Sequence, residues 1–281
     1  MSVVRVTSAF LAFLATLVVL WVGLPLLGPA YLILTGIAVQ EYATMLALRG
    51  VPVRRKSLWV ATALTLPASL PAGHPWMAAG DLGLIPWREL LLIGFVLYLF
   101  VAEVVTSNRS SLQSLAFTML GYVWISWGFG LVLTLRYTPD GVTGLWYLSF
   151  PVLAIIATDV GGYVFGTLWG KRPLAPRISP KKTIEGAIGG QVLAMVVVGG
   201  TMALLPLWTS FRLDLLHVLV FAVIVPMAAL AGDLFESLVK RWVGVKDAGV
   251  FLPGHGGVLD RLDSHLIAVP VTYVLVTLLL R

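Results

Sequence analysis

Nine stretches of this chain, each about twenty residues long and almost free of charge, leave it few ways to fold. Crossing the hydrocarbon of a bilayer takes about 20 apolar residues in a helix. By that measure candidate spans run over Thr7–Leu27, Ala30–Leu48, Ser57–Met77, Trp87–Val105, Leu112–Leu135, Gly144–Leu168, Ile184–Leu207, Leu213–Val239 and Leu259–Leu280. The third, interrupted by Pro67 and Pro71, is the weakest. Only 11% of the 281 residues are charged and 59% are hydrophobic, whereas a soluble domain carries about 25% charged residues. A soluble fold of this size could not hide so much apolar surface, so lipid must be the solvent. No span alternates as a membrane β-strand would. The expected fold is therefore all-α, a polytopic integral membrane helical bundle. Its first apolar run is long enough to span and lacks a small-residue cleavage site, so it reads as a span and not as a cleaved signal peptide.

The basic residues predict the orientation. With the N-terminus in the cytoplasm, only Arg88, Arg136, Arg212 and Arg281 of the 19 Lys and Arg fall on the outer side, as expected when cytoplasmic loops carry the positive charge. The net charge of +6 then reflects loop bias, and nucleic acid is not an expected partner. Cysteine is absent, which removes disulfide and thiolate chemistry. No internal repeat is visible. Residues 1–140, about five spans with little polar chemistry, read as scaffold. Residues 141–281, about four spans, hold most of the acidic and basic groups. The lone polar residues of the first part, Gln40, Glu41 and Glu103, could line a cavity, but the weightier reading is packing near helix ends.

Asp159 lies deep in the run LSFPVLAIIATDVGGYVFG, about 13 Å from the cytoplasmic end of its span. Asp233 lies about 10 Å from Lys240 along the eighth span. A charge at mid-membrane costs about 2.5–3.5 kcal/mol, so both acids are expected to face an interior cavity with a cation or a basic partner. Asp233, Glu236, Ser237 and Lys240 fall at i, i+3, i+4 and i+7, on one helix face. Asp260 and Asp263, also three apart, begin the ninth span. In the assigned orientation these acids meet at one level of the cytoplasmic leaflet, where Asp159 could join them. Buried ion pairs with Lys or Arg are the plainer alternative.

Polar chemistry is densest between Ser237 and Asp263, SLVKRWVGVKDAGVFLPGHGGVLDRLD. Asp247, Asp260 and Asp263 can hold a hard cation, and Lys240, Arg241, Lys246 and Arg261 can neutralise phosphates. Gly254, Gly256 and Gly257 let the backbone approach an anion closely. Upstream, KRPLAPRISPKKTIEG predicts a helix start with Ser179 as cap and Pro180 in the first helical position. Lys181, Lys182 and Thr183 would then sit in a first turn that favours an anion. A phosphate cradle and an ordinary positive-inside loop both fit that segment. His255 has no neighbours at zinc spacing, and neither a Gly-x-Ser-x-Gly elbow nor a Walker-type loop occurs.

These residues carry a resemblance. Ser237, Val239, Lys240, Arg241, Lys246, Asp247, Gly249, Leu252, Pro253, His255, Gly256, Gly257, Asp260, Arg261 and Asp263 resemble the signature of the phosphatidate cytidylyltransferases, or CDP-diacylglycerol synthases. A second block is similar: Asp159, Gly161, Tyr163, Gly166, Gly170, Lys171, Leu174, Pro176, Ser179, Pro180, Lys182, Thr183, Glu185 and Gly186. It departs from the family at Gly162, where Ala is usual, and at Thr167, where a basic residue is common. The N-terminal spans add only hydropathy.

The resemblance implies an integral enzyme of the plasma (inner) membrane with its site facing the cytoplasm. It would convert CTP and phosphatidic acid to CDP-diacylglycerol and pyrophosphate with Mg²⁺. By the same analogy a second, monovalent ion such as K⁺ and a homodimer are admitted. The magnesium set it implies is Asp233 and Asp260, completed or supported by Asp263 and Asp159. Lys240, Arg241, Lys246 and Arg261 would hold the triphosphate or the lipid phosphate, and Lys182 with Ser179 and Thr183 the other. Glu185, Ser237, Gly256 and Gly257 join the substrate-binding set, His255 gives a phosphate hydrogen bond, and Asp247 joins the catalytic set. Two rivals remain. A CTP-dependent kinase of a polyprenol-type lipid would release CDP instead of pyrophosphate. A transporter would explain the spans and buried acids but not the crowding of Arg, Lys, Gly and Asp at one interface.

Overall fold

The computed structural model describes residues 14–70, 85–106, 112–207, 209, 211–249 and 256–279. Helix α1 covers residues 14–22, and α2 (Leu24–Leu48), α3 (Arg55–Ala68) and α4 (Trp87–Val105) follow. After α5 (Leu112–Arg136) and α6 (Gly141–Trp169) comes a hairpin of β1 (Pro173–Ala175) and β2 (Ser179–Thr183). Helices α7 (Ile184–Leu204), α8 (Leu215–Val243) and α9 (Leu259–Leu279) complete the chain. The protein is thus an all-helical, multi-pass membrane bundle. Among the described residues six helices, α2 and α5 to α9, are long and apolar enough to cross a membrane. Helix α3 has 14 residues, and α4 carries Arg88, Glu89 and Glu103. The first, third and ninth predicted spans extend beyond the described residues.

One predicted boundary moves. The sequence reading broke the first two spans at Gly28–Pro29, whereas the structure breaks them at Gly23 (φ +78°) and keeps Pro29 inside α2. Gly23 accepts a positive φ without steric cost, and Pro25 fits the first turn of a helix, where its missing N–H would be unpaired anyway. Tyr137 Oη accepts from Leu24 N at 2.7 Å. Arg136 donates to Leu20 O (2.7 Å) and Trp21 O (3.2 Å), closing that end of α1.

Helix ends follow local chemistry. Asp140 caps α6, accepting from Val142 N and Thr143 N at 2.8 Å each, and Asp214 caps α8 through His217 N at 2.9 Å. Helix α8 ends at Gly244 in the left-handed region, with Lys240 and Arg241 in its last turn beside the negative end of the dipole. Within α5, Tyr122–Trp127 widens to a π-turn. Carbonyls there reach other helices: Ser126 O accepts from Tyr31 Oη (2.8 Å) and Trp127 O from an Arg88 Nη (2.7 Å). Pro226 in α8 has no N–H to offer Ala222 O, and Gln191 of α7 donates to that carbonyl (3.2 Å) and to Val223 O (3.0 Å).

Helices α6 and α7 pack almost backbone to backbone. Side chains at Gly161, Gly186 or Gly190 would meet the facing helix within 3.0 Å, so glycine is what permits the approach. At one end of the bundle Arg54 pairs with Glu103 at 2.8 Å. Trp242 stacks on Phe117, ring centres 5.1 Å apart, and lies under Arg49 at 5.1 Å. The ends of α2, α4 and α8 and the starts of α3 and α5 are thereby gathered on the side that carries the hairpin and the polar tract.

Candidate active site

The basic segment forms a hairpin, not a helix turn. Strand β2 pairs antiparallel with β1, Pro173 opposite Thr183 and Ala175 opposite Ser179. The expected cap at Ser179 is therefore displaced by four residues: α7 starts at Ile184, and Thr183 accepts from Gly186 N at 3.1 Å. Thr is as able a cap as Ser, and pairing with β1 overrides the local preference of Ser179–Pro180. Glu185 closes the base of the hairpin. Its carboxylate accepts from Lys171 N and Arg172 N (3.1 Å each) and from Arg172 Nε (2.9 Å). Arg241 Nε donates to Ile178 O at 3.2 Å, fastening the hairpin turn to α8.

Between hairpin and helices lies a cavity of about 320 Å³. Asp159 of α6, Asp233 of α8, Ser264 of α9 and Ser179, Lys181, Lys182 and Thr183 of the hairpin line it. Lys182 Nζ pairs with Asp233 Oδ2, and Ser237 Oγ donates to Asp233 Oδ1 at 3.4 Å. Asp159 makes no hydrogen bond to a described residue, yet the charges of Asp233, Lys182 and Arg261 act on it. Asp263 adjoins Ser264, whose N–H it accepts at 2.5 Å, and feels Asp233 and Asp159. Two acids from two helices thus line one cavity, with Asp263 of a third helix next to its wall residue Ser264. Among the described residues no three or more His, Asp or Glu side chains close around a single metal position. The donor set is hard carboxylate oxygen, which fits a Mg²⁺ that retains waters and takes further oxygens from phosphate.

Asp260 belongs to a separate cluster. Its carboxylate accepts from Lys240 Nζ (2.6 Å), Ala248 N (2.9 Å) and Gly257 N (2.7 Å). Lys240 also pairs with the fully buried Glu236. Lys240 is itself 9% exposed, and it joins α8 to Asp260 in the first turn of α9 and does not line the cavity. Lys246, Asp247 and Arg261 are exposed, Gly256 has φ +79°, and His255 lies outside the described residues.

Glu41, expected from its sequence position to serve packing near a helix end, belongs to this region. Its buried carboxylate accepts from Val258 N (3.1 Å) and Leu259 N (2.8 Å). The signal was present: a lone acid in an apolar helix demands a partner for the same energetic reason as Asp159 and Asp233.

Asp159 and Asp233 on two long apolar helices, facing the lysines of a hairpin, place a charged cavity inside a multi-pass membrane bundle. The chain belongs to the cytidylyltransferase family, whose model matches residues 3–279. It is 34% identical over 272 residues to a phosphatidate cytidylyltransferase of Staphylococcus haemolyticus, covering 97% of this chain and 98% of that one. It is 33% identical to the phosphatidate cytidylyltransferase of Staphylococcus aureus over 272 residues with the same coverage of both. The protein of that name from Staphylococcus saprophyticus is 36% identical over 188 residues, 67% of this chain and 68% of the relative.

Proposed function

We propose that the chain transfers the cytidylyl group of CTP to phosphatidic acid, giving CDP-diacylglycerol and pyrophosphate in phospholipid synthesis. Near-full-length similarity to enzymes named for that reaction supports it. The observation that carries it is the convergence of Asp159 and Asp233, with Asp263 beside them, on a cavity lined by Lys181 and Lys182. An oxygen of the lipid phosphate attacks the α-phosphorus of CTP, the bond from that phosphorus to the oxygen bridging to the β-phosphate breaks, and pyrophosphate leaves. The nucleophile is already anionic, so no strong general base is required. The obstacle is repulsion between two anions, and catalysis rests on neutralisation and in-line placement.

Lys181 and Lys182 supply positive charge at the cavity wall, and Ser179 and Thr183 supply hydroxyls. Asp233 and Asp159 would hold Mg²⁺, with Asp263 supporting them from beside the cavity and waters and phosphate oxygens completing the shell, and the ion would supply positive charge against the triphosphate. Asp260 and Lys240 would serve by fixing the loop before α9. We further propose nine crossings with the N-terminus and the site on the cytoplasmic side of the plasma membrane. The distribution of Lys and Arg supports this, and lipid phosphate and soluble CTP must meet at that interface. A homodimer and a monovalent ion beside Mg²⁺ belong to the same proposal by family resemblance.

The test is purified protein in detergent with cytidine-labelled CTP, phosphatidic acid and Mg²⁺. Label retained in the lipid fraction, with pyrophosphate released, is the expected result. Release of CDP with a newly phosphorylated lipid alcohol would identify the kinase, and neither product would refute both enzymes.

A further inference from the structure

A glycine-rich loop ahead of a helix ordinarily leaves backbone N–H groups for a phosphate. Before α9 three such groups among the described residues are already taken. Gly257 N donates to Asp260 at 2.7 Å, and Val258 N and Leu259 N donate to the two oxygens of Glu41. The glycines pack on that same carboxylate. A Cβ at Gly257 would lie 2.5 Å from Glu41 Oε2, and one at Gly249 would lie 2.6 Å from Glu41 Cδ. Neither glycine has a positive φ, so space, not backbone conformation, calls for glycine at both.

Leu259 leads directly to the site. Asp263 N bonds Leu259 O at 3.1 Å, one turn along the helix, and Ser264 follows at the cavity wall. On the other side Gly232 of α8 abuts this turn: a Cβ there would lie 3.1 Å from Ser264 Cα. The start of α9 is held between Glu41 and the α8 backbone.

We infer that Glu41 is a positioning residue, a built-in anion occupying the helix N-terminus where a phosphate would otherwise bind, and that Gly249 and Gly257 are glycine in order to admit it. Through Leu259 it sets the position of Asp263 and Ser264. As regards catalysis, the inference rests on the cytidylyl-transfer reading.

The test compares Glu41→Gln, Glu41→Ala, Gly257→Ala and the double variant Glu41→Ala/Gly257→Ala in the full chain, by thermal unfolding and by CDP-diacylglycerol kinetics. Glu41→Gln keeps one acceptor oxygen but turns N–H groups toward a backbone donor. Its kcat should fall by between about tenfold and a hundredfold, with KM for CTP near wild type and a lowered melting temperature from the buried donor left without an acceptor. Gly257→Ala should lower the melting temperature in the wild-type background and much less beside Glu41→Ala, because the methyl enters vacated room. Wild-type kcat in Glu41→Gln, or a raised KM for CTP at unchanged kcat, overturns the positioning role. Equal melting losses from Gly257→Ala in both backgrounds overturn the packing role. If wild type makes no cytidine lipid, the functional reading fails, while the melting comparison still decides whether Glu41 is what the glycines accommodate.

Discussion

Adjacent glycines in α6 should respond oppositely to the same substitution. A methyl at Gly161 would lie 2.8 Å from Gly190 Cα, 3.0 Å from Gly189 O and 3.1 Å from Leu193 Cβ. Two of those atoms are backbone and cannot rotate away. Carbon–carbon contact is comfortable at about 3.5–4.0 Å, so α6 and α7 must separate locally by about 1 Å. Overpacking of this kind costs about 1–3 kcal/mol. Gly161 is two residues from Asp159, and α7 begins directly after the hairpin that carries Lys182, so the displacement falls on the cavity. A misplacement near 1 Å can cost on the order of a hundredfold in rate. A methyl at Gly162 would meet only Gly186 O, at 3.8 Å. Gly162→Ala should therefore be neutral or slightly stabilising, since alanine is the better helix former by about 1 kcal/mol. Thermal unfolding in detergent and cytidine-lipid formation, measured on both variants, check the contrast. If Gly161→Ala matched Gly162→Ala in both measurements, the close-packed seam would not be what sets the cavity's geometry.

Lys182→Met should lower the melting temperature, because the Asp233 carboxylate, 24% exposed, loses its cationic partner. It should reduce kcat/KM on the order of a hundredfold by removing a cation from the cavity, and turnover like wild type would dismiss Lys182 from the site. Chelating divalent ions should abolish CDP-diacylglycerol formation, with Mg²⁺ restoring it; activity surviving in excess EDTA would rule out the proposed role for the acids. Asp140→Ala removes the cap of α6 and should cost about 1 kcal/mol at neutral pH. Hydrogen bonds from Thr143 hold the Asp140 carboxyl below its usual 3.8, so the cap's contribution is present above that pH and lost as pH falls through the folded-state value. The melting temperatures of mutant and wild type should accordingly converge in acid, and a gap independent of pH would refute the carboxylate cap.

Hydropathy made most of the bundle legible, because each span must satisfy its own backbone and face lipid or apolar neighbours. Where two local signals competed, tertiary structure decided. Gly28–Pro29 and Gly23 both mark a possible break, and the positive φ at Gly23 with Pro25 in the following turn took it. Ser179–Pro180 and Thr183 both make good helix starts, and the pairing of β2 with β1 selected Thr183. At the candidate site, residue types and spacing did not separate the contacts that the acids make. Asp233 and Asp260 both read as cation ligands at one level of the leaflet, yet one pairs with a lysine of the hairpin and the other with a buried lysine and loop N–H groups.

Glu41 shows why such contacts were hidden. Its partners lie 217 and 218 residues away, and no periodicity links them. Only the energetic cost of a lone acid in an apolar helix pointed to them, without saying where they were. Glycine was ambiguous for a related reason: a glycine-rich loop is equally what a bound phosphate and what a buried carboxylate require. The two differ in whether the N–H groups are free. Here Gly257, Val258 and Leu259 all donate to carboxylates of the chain itself, which assigns those backbone donors to architecture. The lysines of the hairpin face the site cavity from the other side, opposite acids held in packed helices.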